Sequence, residues 1–312
     1  MQLLAKYSLP KNREGKPVLP PTAIDSLYHG AFAARQRNPF ACCYFKHYKN
    51  VVCDYDGCEY LKQFGSDRKT QAYKYYFYIQ TIPTDLWNFL MRFPLTVITE
   101  YIADMVPPFA IANLYRLFDL YYYFKGAVVL DLFSGICGWL MAFYFLPSHY
   151  LPRKWIAVDI EQRRLVICQE VAKRLGVDIV VQRRDLMQQY RPPNGVDIVI
   201  GSPPCHEFSS AKVSSQRKVD LGLSLVRRYF EIAKSVNYRL AVMEEATSSP
   251  GTDQKVADIA KQFGFRTFKI LMRNAGAIQY RRERLIAIDG APITDRIEQV
   301  LKYLTMEWFD FA

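Results

Sequence analysis

The spacing of apolar positions along this chain changes near residue 126. From there on, nearly unbroken apolar runs recur, each closing on small or acidic residues: AVVLDLF at 127–133, WIAVDI at 155–160 and VDIVI at 196–200. Runs of this length without alternation predict strands buried on both faces, as in a parallel sheet. Shorter runs at 178–182, 240–243, 265–271 and 284–288 predict four more. Between them, segments 162–175, 221–236 and 253–263 read as helices, and another helix is expected over 109–122. Strands separated by helix-length segments predict an α/β fold with a Rossmann-like, doubly wound sheet. No internal repeat is present.

Residues 1–100 read differently. By residue 125 the chain has used 15 of its 22 tyrosines, and residues 1–100 hold 13 Lys+Arg against 8 Asp+Glu. The KYYFY string at 74–78 alternates only loosely, as either a strand or a stacking surface. Rings interleaved with cations suit phosphates and unstacked bases, while a packed core uses rings equally well. The segment is expected to form an N-terminal Tyr-rich, basic module that binds nucleic acid, with 101–312 as a second domain. The whole chain carries 41 Lys+Arg against 30 Asp+Glu, a net charge of +11, which favours nucleic acid over membrane as an anionic partner. The most apolar stretch, 128–147, is broken by Asp131, two glycines and a closing proline, so no membrane span is expected. The first residues lack the apolar core of a signal peptide, and a cytoplasmic location is the expectation.

Seven cysteines are unevenly placed. Cys43, His47, Cys53 and Cys58 supply four soft ligands, with Cys42 as a fifth, but at spacings that match no standard zinc pattern. Zinc, a disulfide and unlinked thiols all stay open for them. Cys137, Cys168 and Cys205 stand alone in the sequence.

In open α/β sheets, ligands bind beyond the carboxyl ends of the strands, so the residues that follow each strand matter most. The first run leads through Asp131, Phe133, Ser134 and Gly135 to Cys137 and Gly138. Small residues there let the backbone turn tightly and approach a ligand, or simply make a plain turn. Asp159 ends the second strand, 28 residues on, where an acid can accept hydrogen bonds from ribose hydroxyls. Asp185 follows the third and can accept from an adenine amine, though each acid serves equally as a cap or a surface charge. The fourth strand runs into Gly201-Ser202-Pro203-Pro204-Cys205-His206. Two prolines stiffen the backbone before Cys205 and hold its thiol at the crevice, the setting of a nucleophile. The fifth ends at Glu244 and Glu245, and the last opens on Gln279, Arg281, Arg282 and Arg284. Strand alternation points Arg282 and Arg284 to one face, suited to a phosphate or a base carbonyl.

Together these pieces resemble the cytosine-C5 DNA methyltransferases over roughly 126–290, most closely at PPC-x-x-FS in 203–209. The 20 residues from Asp185 to Cys205 and the 39 from Cys205 to Glu244 agree with that family. The resemblance implies a class I methyltransferase fold that uses S-adenosylmethionine. Asp131, Phe133, Ser134, Gly135, Gly138, Asp159, Asp185, Pro203 and Asp104 would bind the cofactor. Cys205 would be the nucleophile and Glu244 the catalytic acid, assisted by Arg282 and Arg284. Ser209, Lys212, Arg217, Lys218, Gln279 and Arg281 would contact nucleic acid. One extra residue in the arginine element leaves the choice between Arg281 and Arg282 open. Cys137, His206 and Glu245 depart from the family pattern.

The ADMVPPFA string at 103–110 resembles the family's closing GNAVPP element, here placed ahead of the first strand. A circular permutation is implied, with 101–125 as the closing segment and 1–100 as the target-recognition region. The alternative is a local turn beside an unrelated N-terminal domain. The implied activity is methylation of C5 of cytosine in duplex DNA through a Cys205–C6 adduct with base flipping, and a restriction endonuclease is a further implied partner. Cytosine methylation in tRNA and an inactive DNA-binding member of the fold stay open beside it.

Overall fold

The computed structural model describes residues 105–205, 208, 218–246, 251–272 and 283–291, with scattered positions between 86 and 101. The chain divides into two compact units, Met1–Thr84 with Met306–Ala312, and Asp85–Thr305. All described residues belong to the second. From the first strand onward, helices separate most of its strands.

Helix α1 (Pro108–Leu117) starts on a proline, which tolerates the first helical turn because its missing N–H would have no partner there. The expected helix over 109–122 is shorter in the structure. Asp119 takes a left-handed φ of 54°, which ends α1 and leaves α2 (Tyr121–Phe124) as a separate turn. Then follow β1 (Val128–Leu132), the short helix α3 (Gly138–Met141), β2 (Lys154–Asp159), α4 (Gln162–Leu175) and β3 (Asp178–Arg183). Strand β4 (Ile198–Gly201), α5 (Val219–Lys234), β5 (Leu240–Ala246), α6 (Thr252–Gln262), β6 (Arg266–Leu271) and β7 (Glu283–Asp289) complete the unit.

The strands form one seven-stranded sheet in the order β3-β2-β1-β4-β5-β7-β6. Strands β1 to β5 pair in parallel, while β7 runs antiparallel to both of its neighbours. The apolar runs explain the centre: every residue of β1, β4 and β5 is buried, as strands covered by helices on both faces require. Edge strand β3 alternates between exposed and partly buried positions instead. The chain leaves β1 toward β2 on one side and returns through β4 on the other. The crevice of such a sheet therefore opens between the carboxyl ends of β1 and β4. That is where the turn after β1 and the Pro203-Pro204-Cys205 segment lie.

Tyr115 packs against Trp139 and Phe143, with ring centroids 6.0 and 5.6 Å apart, and Phe143 in turn meets Trp155 of β2 edge-on. These rings link α1 to α3 and to β2. Across the sheet, a Cβ on Gly222 of α5 would come within 2.5 Å of the Phe208 ring. Only glycine admits that contact, and it seats the fully buried Phe208, three residues beyond Cys205, against α5. No helix among the described residues is long and apolar enough to cross a membrane.

Candidate active site

The turn after β1 is held in unusual backbone. Phe133, Gly135 and Cys137 all have positive φ, at 55°, 53° and 62°. Non-glycine residues in that region cost roughly 1–2 kcal/mol each and persist where surrounding structure imposes them, typically at functional sites. Here the imposing contacts are visible. The Ser134 N–H donates to the Val158 carbonyl, and the Gly135 N–H donates to Asp159 Oδ2 at 2.9 Å. Asp159 Oδ1 accepts the Glu161 N–H at 2.9 Å. Burial raises the Asp159 carboxyl above its usual range, against the pull of those two N–H groups and of the Arg164 guanidinium.

The other wall comes from β4. Trp139 Nε1 donates to Ser202 Oγ at 3.0 Å, tying α3 to the residue before Pro203. The Phe208 N–H donates to the Cys205 carbonyl at 2.9 Å, so the segment turns straight after the half-buried Cys205 thiol. Phe133, Ser134, Gly135, Gly138, Asp159, Pro203, Cys205 and Glu244, all named from the sequence, line one pocket. The sequence reading missed Tyr101, Trp139 and Arg164 in the same wall. Tyr101 donates a hydrogen bond to the Glu161 carboxylate, and the Arg164 guanidinium sits 4.8 Å from the centre of its ring. No local pattern marks a tyrosine that reaches this pocket from so far upstream of β1. Met105 and Val106 close the pocket beside α3, where a Cβ on Gly138 would lie 2.5 Å from the Met105 side chain.

Two of the expected cofactor acids lie elsewhere. Asp131 is fully buried beneath the turn, with Oδ2 accepting the Trp155 indole N–H at 3.1 Å, because β1 points it into the core. Burial pushes its carboxyl well above the ordinary range. Asp185 is exposed, and its Oδ1 accepts the Met187 N–H of its own turn at 3.0 Å. Lys218 is exposed at the start of α5, where its carbonyl accepts N–H groups from Leu221 and Gly222. Asp104, Ser209, Lys212, Arg217, Gln279, Arg281 and Arg282 lie outside the described residues, as do Cys43, His47, Cys53 and Cys58 with their zinc reading. Among the described residues no cluster of metal-ligating side chains occurs.

Strand β5 runs three residues further than the sequence pattern suggests, so Glu244 and Glu245 are strand residues on opposite faces. Glu244 faces the pocket, and Arg284 of β7 places Nε 2.5 Å from its Oε1. That N–H is not aimed along a hydrogen bond, so the contact is a buried ion pair; Arg284 Nη1 donates instead to the Glu283 carbonyl at 2.8 Å. Glu245 is fully buried on the other side, with Oε1 accepting the Ala246 N–H and Oε2 lacking a partner among the described residues. Burial first, and then the nearby Glu244 charge, raise the Glu245 carboxyl well above its usual value.

A folded-state pKa above the unfolded value near 4.5 means that the native protein holds this proton longer than the unfolded chain does. Stability is therefore lost as pH rises from about 4.5 toward the folded value. Glu245→Gln is expected to match the parent near pH 4 and to be more stable than it at pH 8. Urea midpoints of both proteins at the two pH values check this.

Cys137 and Cys168, which stand alone in the sequence, are joined as a disulfide with Cα atoms 5.2 Å apart. The bond fastens the turn after β1 to α4, and Cys168 Sγ also lies 3.4 Å from the Gly135 carbonyl oxygen. Closing a loop with a sequence separation of 31 is worth about 3–4 kcal/mol by chain entropy. Cys168→Ser is expected to lose that much stability, and reductant should lower the parent's melting temperature but not the variant's.

No family model matches the chain, and no curated protein is significantly similar to it in sequence. Solved structures resemble it at low identity. An S-adenosylmethionine-dependent methyltransferase from Aquifex aeolicus is 17% identical over 59% of this chain and 99% of its own, with a TM-score of 0.36. TrmN from Thermus thermophilus is 18% identical over 59% of this chain and 48% of its own, at a TM-score of 0.39. Magnesium protoporphyrin IX methyltransferase from Synechocystis PCC 6803 is 13% identical over 72% of this chain and 98% of its own, at 0.40. What this chain shares with them is an α/β sheet architecture.

Proposed function

We propose that this chain transfers a methyl group from S-adenosylmethionine to C5 of cytosine in duplex DNA. The observation that carries the reading is the meeting of Cys205 and Glu244 in the wall of one pocket with the turn after β1 and Asp159. The residues present fit the methyl donor. Asp159 offers a carboxylate for ribose hydroxyls, and Val106, Ile111 and Phe133 an apolar wall for a heteroaromatic ring. The approach of Met105 to Gly138 supports the reading of 101–125 as the family's closing segment.

When bound, S-adenosylmethionine supplies an electrophilic methyl group at a sulfonium centre. C5 of cytosine is a poor nucleophile until a group adds at C6. Cys205 performs that addition as thiolate, a species present at only a few per cent for an unperturbed thiol of pKa about 8.5 but intrinsically nucleophilic. The new S–C6 bond sends an electron pair through the ring toward C5, while Glu244 holds the proton at N3. Arg284 fixes the Glu244 carboxyl from the neighbouring strand. After the methyl group is in place, loss of the C5 proton returns the electron pair, breaks the S–C6 bond and restores the aromatic ring. C6 is shielded inside a stacked duplex, so the target base has to leave the stack.

The test is transfer of a labelled methyl group to duplex DNA and to tRNA in parallel reactions. The expected result is label in DNA, recovered as 5-methylcytosine. Label in tRNA alone would move the reading to RNA, and label in neither, from folded protein, would leave an inactive binding module.

A further inference from the structure

Beyond Asp159, the sheet ends at β3, and the segment after this edge strand folds back to leave an open groove lined by residues 181–184 and 189–191. Three arginines face it: Arg183, Arg184 and Arg191, all exposed. The nearby Arg164 and Arg174 on α4 are both engaged by glutamates, at 3.1 and 2.8 Å. Among the described residues, the three groove arginines have no carboxylate within ion-pair distance. Arg183 uses one donor on the Ile160 carbonyl, at 3.2 Å, and Arg184 one on the Arg183 carbonyl, at 3.4 Å. A guanidinium carries five N–H donors, so most of this capacity faces outward. The one acid in the segment, Asp185, has Oδ1 turned back to its own backbone.

The groove also has a floor suited to more than a point charge. The Tyr190 hydroxyl donates to Gln182 Oε1 at 2.8 Å, which holds a half-buried ring beside the arginines. Guanidinium groups bind phosphate in bidentate fashion, and an aromatic ring beside them offers a sugar or base a face to rest on. Three unmatched cations in a row ask for a ligand with repeated negative charge rather than a single anion.

Its position ties the groove to the pocket. Arg183 pairs in register with Asp159, and the Arg184 N–H donates to the Asp159 carbonyl at 3.0 Å. The groove therefore starts one strand beyond an acid of the pocket wall. Cys205 follows β4, three strands away in the order β3-β2-β1-β4, or roughly 14 Å at about 4.8 Å per strand. A nucleic-acid strand advances about 3.4 Å per phosphate, so that span corresponds to about four nucleotides.

We propose that the groove formed by Arg183, Arg184, Tyr190 and Arg191 binds the phosphate backbone of the substrate nucleic acid about four nucleotides to one side of the flipped base. The proposal rests on the reading of the pocket as a nucleic-acid methyltransferase site. The groove supplies affinity and register, not chemistry.

The experiment compares the parent with the triple variant Arg183→Gln/Arg184→Gln/Arg191→Gln and with a control of equal charge loss, Lys125→Gln/Lys255→Gln/Lys261→Gln, all on exposed positions. Dissociation constants for a labelled duplex are measured from about 50 to about 200 mM salt. Each phosphate contact contributes about 0.9 to the slope of log affinity against log salt, so the triple variant should lose about 2–3 from that slope. It should bind at least about tenfold more weakly, while its rate at saturating DNA stays that of the parent. Trimming the duplex to fewer than about four base pairs on one side of the target should bring the parent to the variant's affinity, while trimming the other side should not. An unchanged slope, an equal loss in the control, or a variant that keeps its DNA affinity but loses binding to polyglutamate would overturn the proposal. A parent that methylates DNA and a variant that binds like it would sink the groove alone. A parent that neither binds nor methylates any nucleic acid would sink the underlying reading with it.

Discussion

Replacing Cys205 with serine is expected to lower methyl transfer by a factor on the order of 10⁴ or more, the scale seen when a nucleophile is removed from a catalytic unit. Two features make the effect large. The thiol stands in the pocket wall that also holds Glu244, and no other cysteine among the described residues lines that wall. A serine hydroxyl is far less acidic than a thiol, so the addition at C6 loses its reactive anion. The substitution exchanges one atom at a half-buried position, leaving the anchor of Phe208 on Gly222 untouched. The melting temperature should therefore stay within a degree or two of the parent's, as for a surface-like change to a 100–250-residue unit. Label transfer and a thermal melt on the same preparation check both halves. More than about 1% residual activity would mean that another group attacks the ring.

Glu244→Gln is expected to do two things at once. Activity should fall by about 10²–10⁴, the usual contribution of a positioned general acid. Stability should fall by about 3–5 kcal/mol, because Arg284 is buried and would keep its charge without its partner. A second substitution separates the effects. In Glu244→Met/Arg284→Met the stranded cation is gone, and replacing a buried pair by apolar groups is commonly near neutral. The double variant should regain most of the lost stability and none of the activity. Urea unfolding midpoints beside label transfer measure this, and recovery of activity together with stability would reduce Glu244 to a structural role.

The parts of the fold that could be read from the sequence are those governed by burial. Strands β1, β2, β4 and β5 are buried along nearly their whole length, and such strands leave apolar runs that no helix face imitates. The pocket residues Phe133, Ser134, Gly135, Asp159, Pro203, Cys205 and Glu244 were legible because a parallel sheet brings successive strand ends to one edge. What stayed hidden depends on contacts distant in the chain. Tyr101 enters the wall from well before β1, and Arg164 is one arginine among several on α4. The Cys137–Cys168 bridge links two elements with no telling spacing. Asp131 looked like a ligand because it sits in the motif, yet its place within β1 turns it under Trp155. The end of α1 was invisible because an aspartate, not a glycine, takes the left-handed position at residue 119.

If the Cys205 sulfur bonds covalently to a cytosine ring, it can be captured on duplex DNA carrying 5-fluorocytosine at target sites. Fluorine at C5 cannot depart as the proton does, so the S–C6 bond formed during transfer persists. The expected product is a denaturant-stable protein–DNA complex that requires S-adenosylmethionine, with the adduct mass located on the peptide that contains Cys205. A complex mapped to any other residue, or label transfer to DNA without a trapped complex, would contradict attack by Cys205.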